Sequence, residues 1–115
     1  MSEHKLQVTS RDVGSTGCIV TTTGEIDHET RDQLGLVLQE TLSRGRHHIA
    51  VDLSPVTFCD SAGLTQFVQT HRETSSRGGW LRLAGAQGPV LAVLQSTALA
   101  RYLTLYATLD EALGS

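Results

Sequence analysis

The residues best placed to do chemistry in this chain lie in the run Asp-Ser-Ala-Gly at 60–63, which opens a helical pattern. An apolar, strand-like run at 49–53 comes before it, and a short connection broken by Pro55 joins the two. Ser61 is therefore predicted to stand at the start of a helix, where free backbone N–H groups and the helix dipole favour a negative group. Such a hydroxyl is either a helix N-cap or an acceptor for a phosphate that leaves the fold intact.

The helix that follows Ser61 has one apolar side and one uncharged polar side. The apolar positions recur at the i, i+3, i+4 and i+7 spacing of a core-facing helix and are Leu64, Phe67, Val68 and His71. The polar positions are predicted to face solvent and are Thr65, Gln66, Gln69 and Thr70. The helix is thus predicted to present a flat, uncharged surface next to Ser61.

Two separated segments of the chain resemble the signatures of one known family. Residues 58–64 have the sequence Phe-Cys-Asp-Ser-Ala-Gly-Leu, and residues 24–27 have the sequence Gly-Glu-Ile-Asp. Both resemble the bacterial anti-sigma factor antagonists built on the STAS domain, in which the first signature joins a strand to a helix and carries the serine that takes phosphate. That serine aligns with Ser61. Ala62 replaces a second serine of many members, and Cys59 replaces a common apolar residue such as methionine, and neither change obstructs the implied mechanism.

The resemblance implies a switch that acts through protein binding. The unphosphorylated protein is expected to bind an anti-sigma factor, itself a serine kinase that brings ATP, and thereby to release a sigma factor. Phosphorylation at Ser61 is expected to switch binding off by adding charge close to Asp60 and Asp27, and a metal-dependent serine phosphatase is expected to restore it. The partner-binding residues implied by this likeness are Gly24, Glu25, Asp27, Asp60, Ser61, Ala62, Gly63, Thr65, Gln66 and Gln69.

Two other classes of function stay open on the sequence alone. One is a STAS domain that serves as a non-phosphorylated scaffold or sensor in a stress-signalling or transport assembly, with Ser61 only a cap. The other is an enzyme with Ser61 or Cys59 as nucleophile. The chain lacks a Gly-x-Ser-x-Gly elbow, a Walker-type glycine loop and zinc-ligand spacings. His71 lies about 15 Å along the helix from Ser61, too far for a direct bond. The chain is therefore predicted not to be an enzyme and to need no cofactor or metal.

Composition argues against nucleic acid and membranes as partners. The chain of 115 residues has a formal net charge of -3 with interspersed charges, so it has no basic stripe that could neutralise a phosphate backbone. It shows no N-terminal apolar signal core and no apolar run near the roughly 20 residues that a membrane span needs. A cytoplasmic protein is expected. Cys18 and Cys59 lack a metal-binding spacing and are predicted to be reduced thiols.

The order of elements predicts an α/β fold with a mixed sheet of four to five strands and helices packed mainly on one face, as the STAS resemblance also implies. Residues 1–115 are expected to form a single STAS domain. The predicted strands are a hairpin at 5–11 and 17–23, a central strand at 48–53, a strand at 80–84 and a short strand near 103–107. The predicted helices begin with Asp27 as N-cap, at 60–63, around Pro89 and near Thr108.

Several side chains that could be mistaken for functional ones are assigned to the scaffold. Phe58 and Trp80 are predicted to be packing residues rather than a recognition surface. His47 and His48 are adjacent in a predicted strand and point to opposite faces, so they cannot chelate a metal together without other ligands. Gly35, inside the first helix, is expected to permit close approach by a neighbouring element.

Overall fold

The structure, a computed structural model, describes residues 5–114, which form six strands and four α-helices. The strands are β1 (Leu6–Val13), β2 (Gly17–Ile26), β3 (His48–Asp52), β4 (Val56–Cys59), β5 (Trp80–Ala84) and β6 (Thr104–Tyr106). The helices are α1 (Arg31–Ser43), α2 (Ser61–Ser76), α3 (Gly88–Ser96) and α4 (Leu109–Ala112), with a 3-10 helix at Ala98–Tyr102. The predicted α/β class is confirmed. No helix in this part of the chain has the length and apolarity needed to cross a membrane.

A mixed sheet of six strands frames the molecule. β1 and β2 pair antiparallel as the predicted hairpin, whereas β2, β3, β5 and β6 run parallel in that spatial order. β3 lies at the centre, and its residues Ile49, Ala50 and Val51 are buried because it is flanked by strands and covered on both faces. The sheet has more strands than the four to five predicted, and the missed strand is β4.

β4 lies beside the second half of β2 and continues the line of β3 after a break at Pro55. Proline has no N–H to give to a ladder, but its carbonyl accepts a bond from the Gly24 N–H at 3.1 Å. The sequence predicted only a connection here, because four residues with two adjacent exposed side chains show no strand periodicity. The pairing of β4 with β2 brings Cys59 opposite Ile26, so both strands end at the same edge of the sheet.

Two apolar clusters lie on opposite faces of the sheet. The larger cluster holds the apolar sides of α1, α2 and α3 against alternate residues of β2, β3 and β5. The smaller cluster packs Ala112 of α4 with Ala50 and Ala84. Trp80 is half-buried beside this cluster, as predicted for a packing residue, with the Arg82 guanidinium 3.9 Å from its ring centre. Three helices therefore share one face, and α4 is the exception to the predicted arrangement.

The helices differ from prediction at two positions. α1 begins at Arg31, and Thr30 rather than Asp27 stands in its N-cap position. Thr70 of α2 is buried rather than exposed, because its hydroxyl donates to the Gln66 carbonyl at 2.9 Å and needs no water. On the predicted apolar side of α2, Leu64, Phe67 and Val68 are buried as expected, and His71 is half-buried.

Candidate functional site

Ser61 is the first residue of α2, and it is exposed. The residue before it, Asp60, is the N-cap: its Oδ1 accepts a bond from the Ala62 N–H at 2.9 Å and from the Gly63 N–H at 3.2 Å. The Ser61 hydroxyl takes no part in this cap and makes no hydrogen bond within the described residues 5–114. The interpretation of Ser61 as the helix cap is therefore wrong, and its hydroxyl is available for modification.

The start of α2 is fastened to the end of β2. The Asp60 N–H donates to the Ile26 carbonyl at 3.1 Å. Gly63 is buried, and a Cβ at this position would collide with Cγ2 of Ile26 and touch Sγ of Cys59. Gly63 thus cannot meet a partner directly. It lets the helix lie against β2, which holds Ser61 next to the segment 24–27.

Asp27 is a buried carboxylate that organises the turn leading into α1. Its Oδ1 accepts bonds from the Glu29 N–H at 2.9 Å and the Thr30 N–H at 3.0 Å, and its Oδ2 lies 2.7 Å from Lys5 Nζ. These contacts explain why the sequence predicted Asp27 as an N-cap. Its carboxylate accepts bonds from the turn that precedes α1 and not from the helix itself. The hydrogen bond from Lys5 and those from the two N–H groups lower the pKa of Asp27 from 3.8 to about 2.

Asp27→Asn is expected to remove the part of the free energy of unfolding that depends on the ionised Asp27 carboxylate and is lost in acid. The folded-state pKa of Asp27 is below its ordinary value of 3.8, so its contribution is complete above pH 4 or so and is lost as the pH falls toward about 2. As the pH falls over this range, the melting temperature measured by circular dichroism should therefore fall further for the wild-type protein than for Asp27→Asn. Asp32→Asn, at a largely exposed carboxylate, is the matched control. A decline of equal size in Asp27→Asn would contradict the assignment.

Gly24 and Glu25 lie near the end of β2, beside the start of β1. The φ angle of Gly24 is +112°, which favours glycine, and a Cβ there would collide with the Lys5 carbonyl. The Glu25 N–H donates to that same carbonyl at 2.7 Å. Gly24 is therefore required by the backbone, while the half-buried side chain of Glu25 lies nearer the surface.

The charge around Ser61 differs from the sequence-based expectation. That expectation placed two acidic groups, Asp60 and Asp27, where they would act together with a phosphate. Lys5 forms an ion pair with Asp27 and also pairs with Glu29, which offsets the negative charge of this turn. Asp60 is held in place by its cap bonds. It is thus the nearest fixed negative charge in the sequence to any group attached at Ser61.

The exposed side of α2 continues the surface around Ser61. Thr65 and Gln69 are exposed, and Gln66 and Ala62 are half-buried. The Thr65 hydroxyl donates to the Ser61 carbonyl at 3.0 Å, which keeps it on the helix surface. These side chains carry no charge, so the surface next to Ser61 offers hydrogen-bonding groups and backbone rather than ions.

Phe58 lies in β4, three residues before Ser61, with 47% of its surface exposed. The prediction that it is a packing residue is contradicted by this exposure. The register between β2 and β4 shifts between Gly24 and Glu25, and Thr57 and Phe58 are both exposed. Aromatic residues are enriched at protein interfaces, so Phe58 is a candidate contact residue that the sequence analysis assigned to the scaffold. The signal for it in the sequence was its position two residues before Asp60 of the Asp-Ser signature.

Cys59 is a buried structural residue. Burial raises the pKa of its thiol to about 12, with a smaller effect from Asp60, and Cys18 is also buried with a raised pKa. A thiol with so high a pKa is protonated near neutral pH and is a poor nucleophile. This argues against Cys59 as a catalytic group.

The chain is similar to proteins of one known family. Residues 6–112 match the STAS domain. The anti-sigma F factor antagonist of Paenibacillus polymyxa is 28% identical over 89 residues, which are 76% of this chain and 76% of that protein. The crystal structure of an anti-sigma factor antagonist from Mycobacterium paratuberculosis superposes with a TM-score of 0.83 at 28% identity, over 94% of this chain and 91% of that chain.

A third protein shares the fold at lower identity. The Bacillus cell fate determinant SpoIIAA in its phosphorylated form has a TM-score of 0.70 at 21% identity, over 93% of this chain and 96% of that chain. The family match spans nearly the whole described chain, and the fold and the signature segments at 24–27 and 58–64 lie within it. This chain belongs to the STAS domain family.

Proposed function

We propose that this protein is an anti-sigma factor antagonist that is switched by phosphorylation of Ser61. In the unphosphorylated form it binds an anti-sigma factor, which then releases its sigma factor. The observation that carries the proposal is the exposed hydroxyl of Ser61 at the first residue of α2, next to a cap made entirely by Asp60. The names of the Paenibacillus and Mycobacterium relatives support the same class of function.

A phosphate at Ser61 would change the surface without disturbing the helix. The helix start tolerates negative charge because of its dipole and its N–H groups, and the cap bonds of Asp60 do not involve Ser61. The phosphate adds roughly -1.5 to -2 charges. At about 6 Å from an acidic group of a docked partner, the repulsion is roughly 1 to 5 kcal/mol. Since about 1.4 kcal/mol is tenfold in affinity, this is sufficient to dissociate a micromolar complex.

The partner supplies the chemistry in this proposal. His71 and Glu73 on the same helix are about 15 and 18 Å farther along the axis than Ser61, too far to act as its general base. The anti-sigma factor acts as a serine kinase that brings ATP and transfers its terminal phosphoryl group to the hydroxyl. A metal-dependent serine phosphatase removes the phosphate and restores the binding form.

Mass spectrometry after incubation with a candidate anti-sigma kinase and ATP tests the proposal. We expect one phosphate, located on Ser61, and none on the Ser61→Ala variant. Ser75→Ala is the matched control, because it removes an exposed hydroxyl near the far end of α2 and should leave phosphorylation of Ser61 unchanged. A phosphate located elsewhere, or an unmodified protein with every kinase that binds it, would refute the switch.

A further inference from the structure

β1 forms one outer edge of the sheet, where it pairs with β2 along one side. It is eight residues long, contains neither proline nor glycine, and Leu6 is its only buried residue. Proteins protect such an edge from other strands by keeping it short or by placing proline or free charges in it. The charged residues of β1 are Arg11 and Asp12, and Asp12 is already paired with Arg44 and Arg46. The edge of β1 therefore lacks these protections.

The register between β1 and β2 shows which backbone groups of β1 point away from the sheet. In an antiparallel pair, residues alternate between exchanging both hydrogen bonds with the residue opposite and directing both of them away. The Glu25 N–H donates to the Lys5 carbonyl at 2.7 Å, whereas the Gly24 N–H donates to the Pro55 carbonyl, away from β1. Gly24 lies opposite Leu6. The even-numbered residues of β1 therefore direct their N–H and C=O groups away from β2.

The first of these outward positions is already filled by a side chain of α1. Gln33 Nε2 donates to the Leu6 carbonyl at 2.9 Å, a contact that requires this carbonyl to point outward. Within residues 5–114 no strand lies along the other outward positions, which are Val8, Ser10 and Asp12. Their alternating donors and acceptors are spaced to recognise the backbone of another extended strand.

The open positions match a second copy of β1 that runs in the opposite direction. With a two-fold axis at Ser10, the two Ser10 residues lie opposite each other and Val8 of one copy lies opposite Asp12 of the other. Every open N–H then meets an open C=O, because the three positions are symmetric about Ser10. The Arg11 side chain lies opposite Thr9, so no like charges face each other.

The neighbouring registers are less favourable for two copies. An axis at Thr9 would place Asp12 opposite Leu6, whose carbonyl already accepts from Gln33. An axis at Arg11 would place the two Arg11 side chains directly opposite each other, which is destabilising. The contacts of this edge therefore favour a single self-pairing register, centred on Ser10.

We propose that β1 is a self-association edge, at which two copies of this chain pair antiparallel about Ser10 and join their sheets. The partner copy is recognised through the backbone groups of Val8, Ser10 and Asp12. β1 carries one positive and one negative charge, so two copies meet here without a local excess of either sign. This inference does not depend on phosphorylation of Ser61.

Sedimentation equilibrium of the wild type and of Ser10→Pro tests the proposal. We expect a wild-type dimer whose fraction rises with concentration, and a Kd about tenfold or more higher for Ser10→Pro, because proline cannot donate a hydrogen bond across the axis. Proline is tolerated on an edge strand where the lost N–H faces solvent, so the monomer should keep its melting temperature. Thr9→Pro is the matched control: the lost N–H points toward β2, and the monomer should melt at a lower temperature.

Paired charge variants test the position of the two-fold axis. Ser10→Lys and Ser10→Glu each place like charges opposite each other in a dimer, and each should raise Kd about three- to tenfold. An equimolar mixture should form a dimer of one Lys and one Glu copy that is at least as tight as the wild-type dimer. Ser10→Gln is the uncharged control and should dimerise like the wild type. A mixture that dimerises no better than the two variants alone would refute the axis at Ser10.

Hydrogen exchange followed by NMR gives a readout at each residue. At dimer-forming concentrations the amides of Val8, Ser10 and Asp12 should gain protection, while those of Thr9 and Arg11 are protected at every concentration. A wild type that stays monomeric up to about 1 mM would leave this edge to a strand of another protein and refute the proposal. A dimer that Ser10→Pro leaves intact would place the contact elsewhere and refute it as well.

Discussion

Ser61→Asp is expected to weaken binding to the anti-sigma factor by about 3- to 100-fold, while Ser61→Ala binds as tightly as the wild type. A single added charge at about 6 Å from an acidic group of the partner costs roughly 0.7 to 3 kcal/mol, depending on the local dielectric. Asp60 is fixed beside the site by its two cap bonds and cannot move away to relieve this charge. The phosphorylated protein, with nearly twice the charge, should bind still more weakly.

Isothermal titration calorimetry with the purified anti-sigma factor at two salt concentrations measures this effect. Ser61→Asn is the matched control, because it has nearly the shape of aspartate without its charge. Added salt should narrow the gap between the Asp and Asn variants, since surface charges are screened over about 10 Å at 0.1 M salt. Equal losses in Ser61→Asn and Ser61→Asp would show a steric effect and contradict the electrostatic mechanism.

Gly63→Ala is expected to cause a large loss of stability, because α2 packs against β2 with no space for a methyl group at this position. The new Cβ would collide with Cγ2 of Ile26 and lie 3.4 Å from Sγ of Cys59, and both of those residues are buried. Overpacking of this kind costs typically about 1 to 3 kcal/mol. In a domain of this size, each kcal/mol lowers the melting temperature by roughly 4 °C or more. Any shift of α2 that relieves the collision also displaces Ser61.

Thermal unfolding of Gly63→Ala beside Gly35→Ala tests this prediction. Both variants add one methyl group to a glycine within a helix. At Gly35 the methyl meets only the flexible end of Gln66, so the higher helix propensity of alanine should leave stability unchanged or raise it by up to about 1 kcal/mol. A melting temperature for Gly63→Ala at or above that of the wild type would show that α2 can move off β2 without cost.

The features that the sequence predicted well have strong local signals. The apolar side of α2 follows from its helical spacing, which the burial of Leu64, Phe67 and Val68 confirms. The start of α4 near Thr108 follows from a capping box, in which the Thr108 and Glu111 side chains and backbones bond reciprocally. The exposed position of Ser61 follows from the strand, the turn and the helix around it. Each of these depends on residues close together in the chain.

The features that the sequence did not predict depend on distant partners. β4 is a strand only because β2 pairs with it, and its own residues show no alternation. The charge of Asp27 is offset by an ion pair with Lys5, next to the start of β1. No local pattern in the sequence predicts this pair. Phe58 is exposed beside the register shift between β2 and β4, and it belongs to neither apolar cluster. Such contacts between separate elements require the assembled sheet.

Asp60 caps α2 while Ser61 is free to be modified, and this separation of roles affects how long each form of the protein persists. Because the carboxylate alone secures the first turn of α2, the alcohol and its phosphate ester should unfold with nearly the same free energy. Quality-control proteases, which act on unfolded chains, would then clear both forms at the same pace. The fraction of molecules able to bind would be set by the opposing rates of kinase and phosphatase, and not by selective degradation of one form.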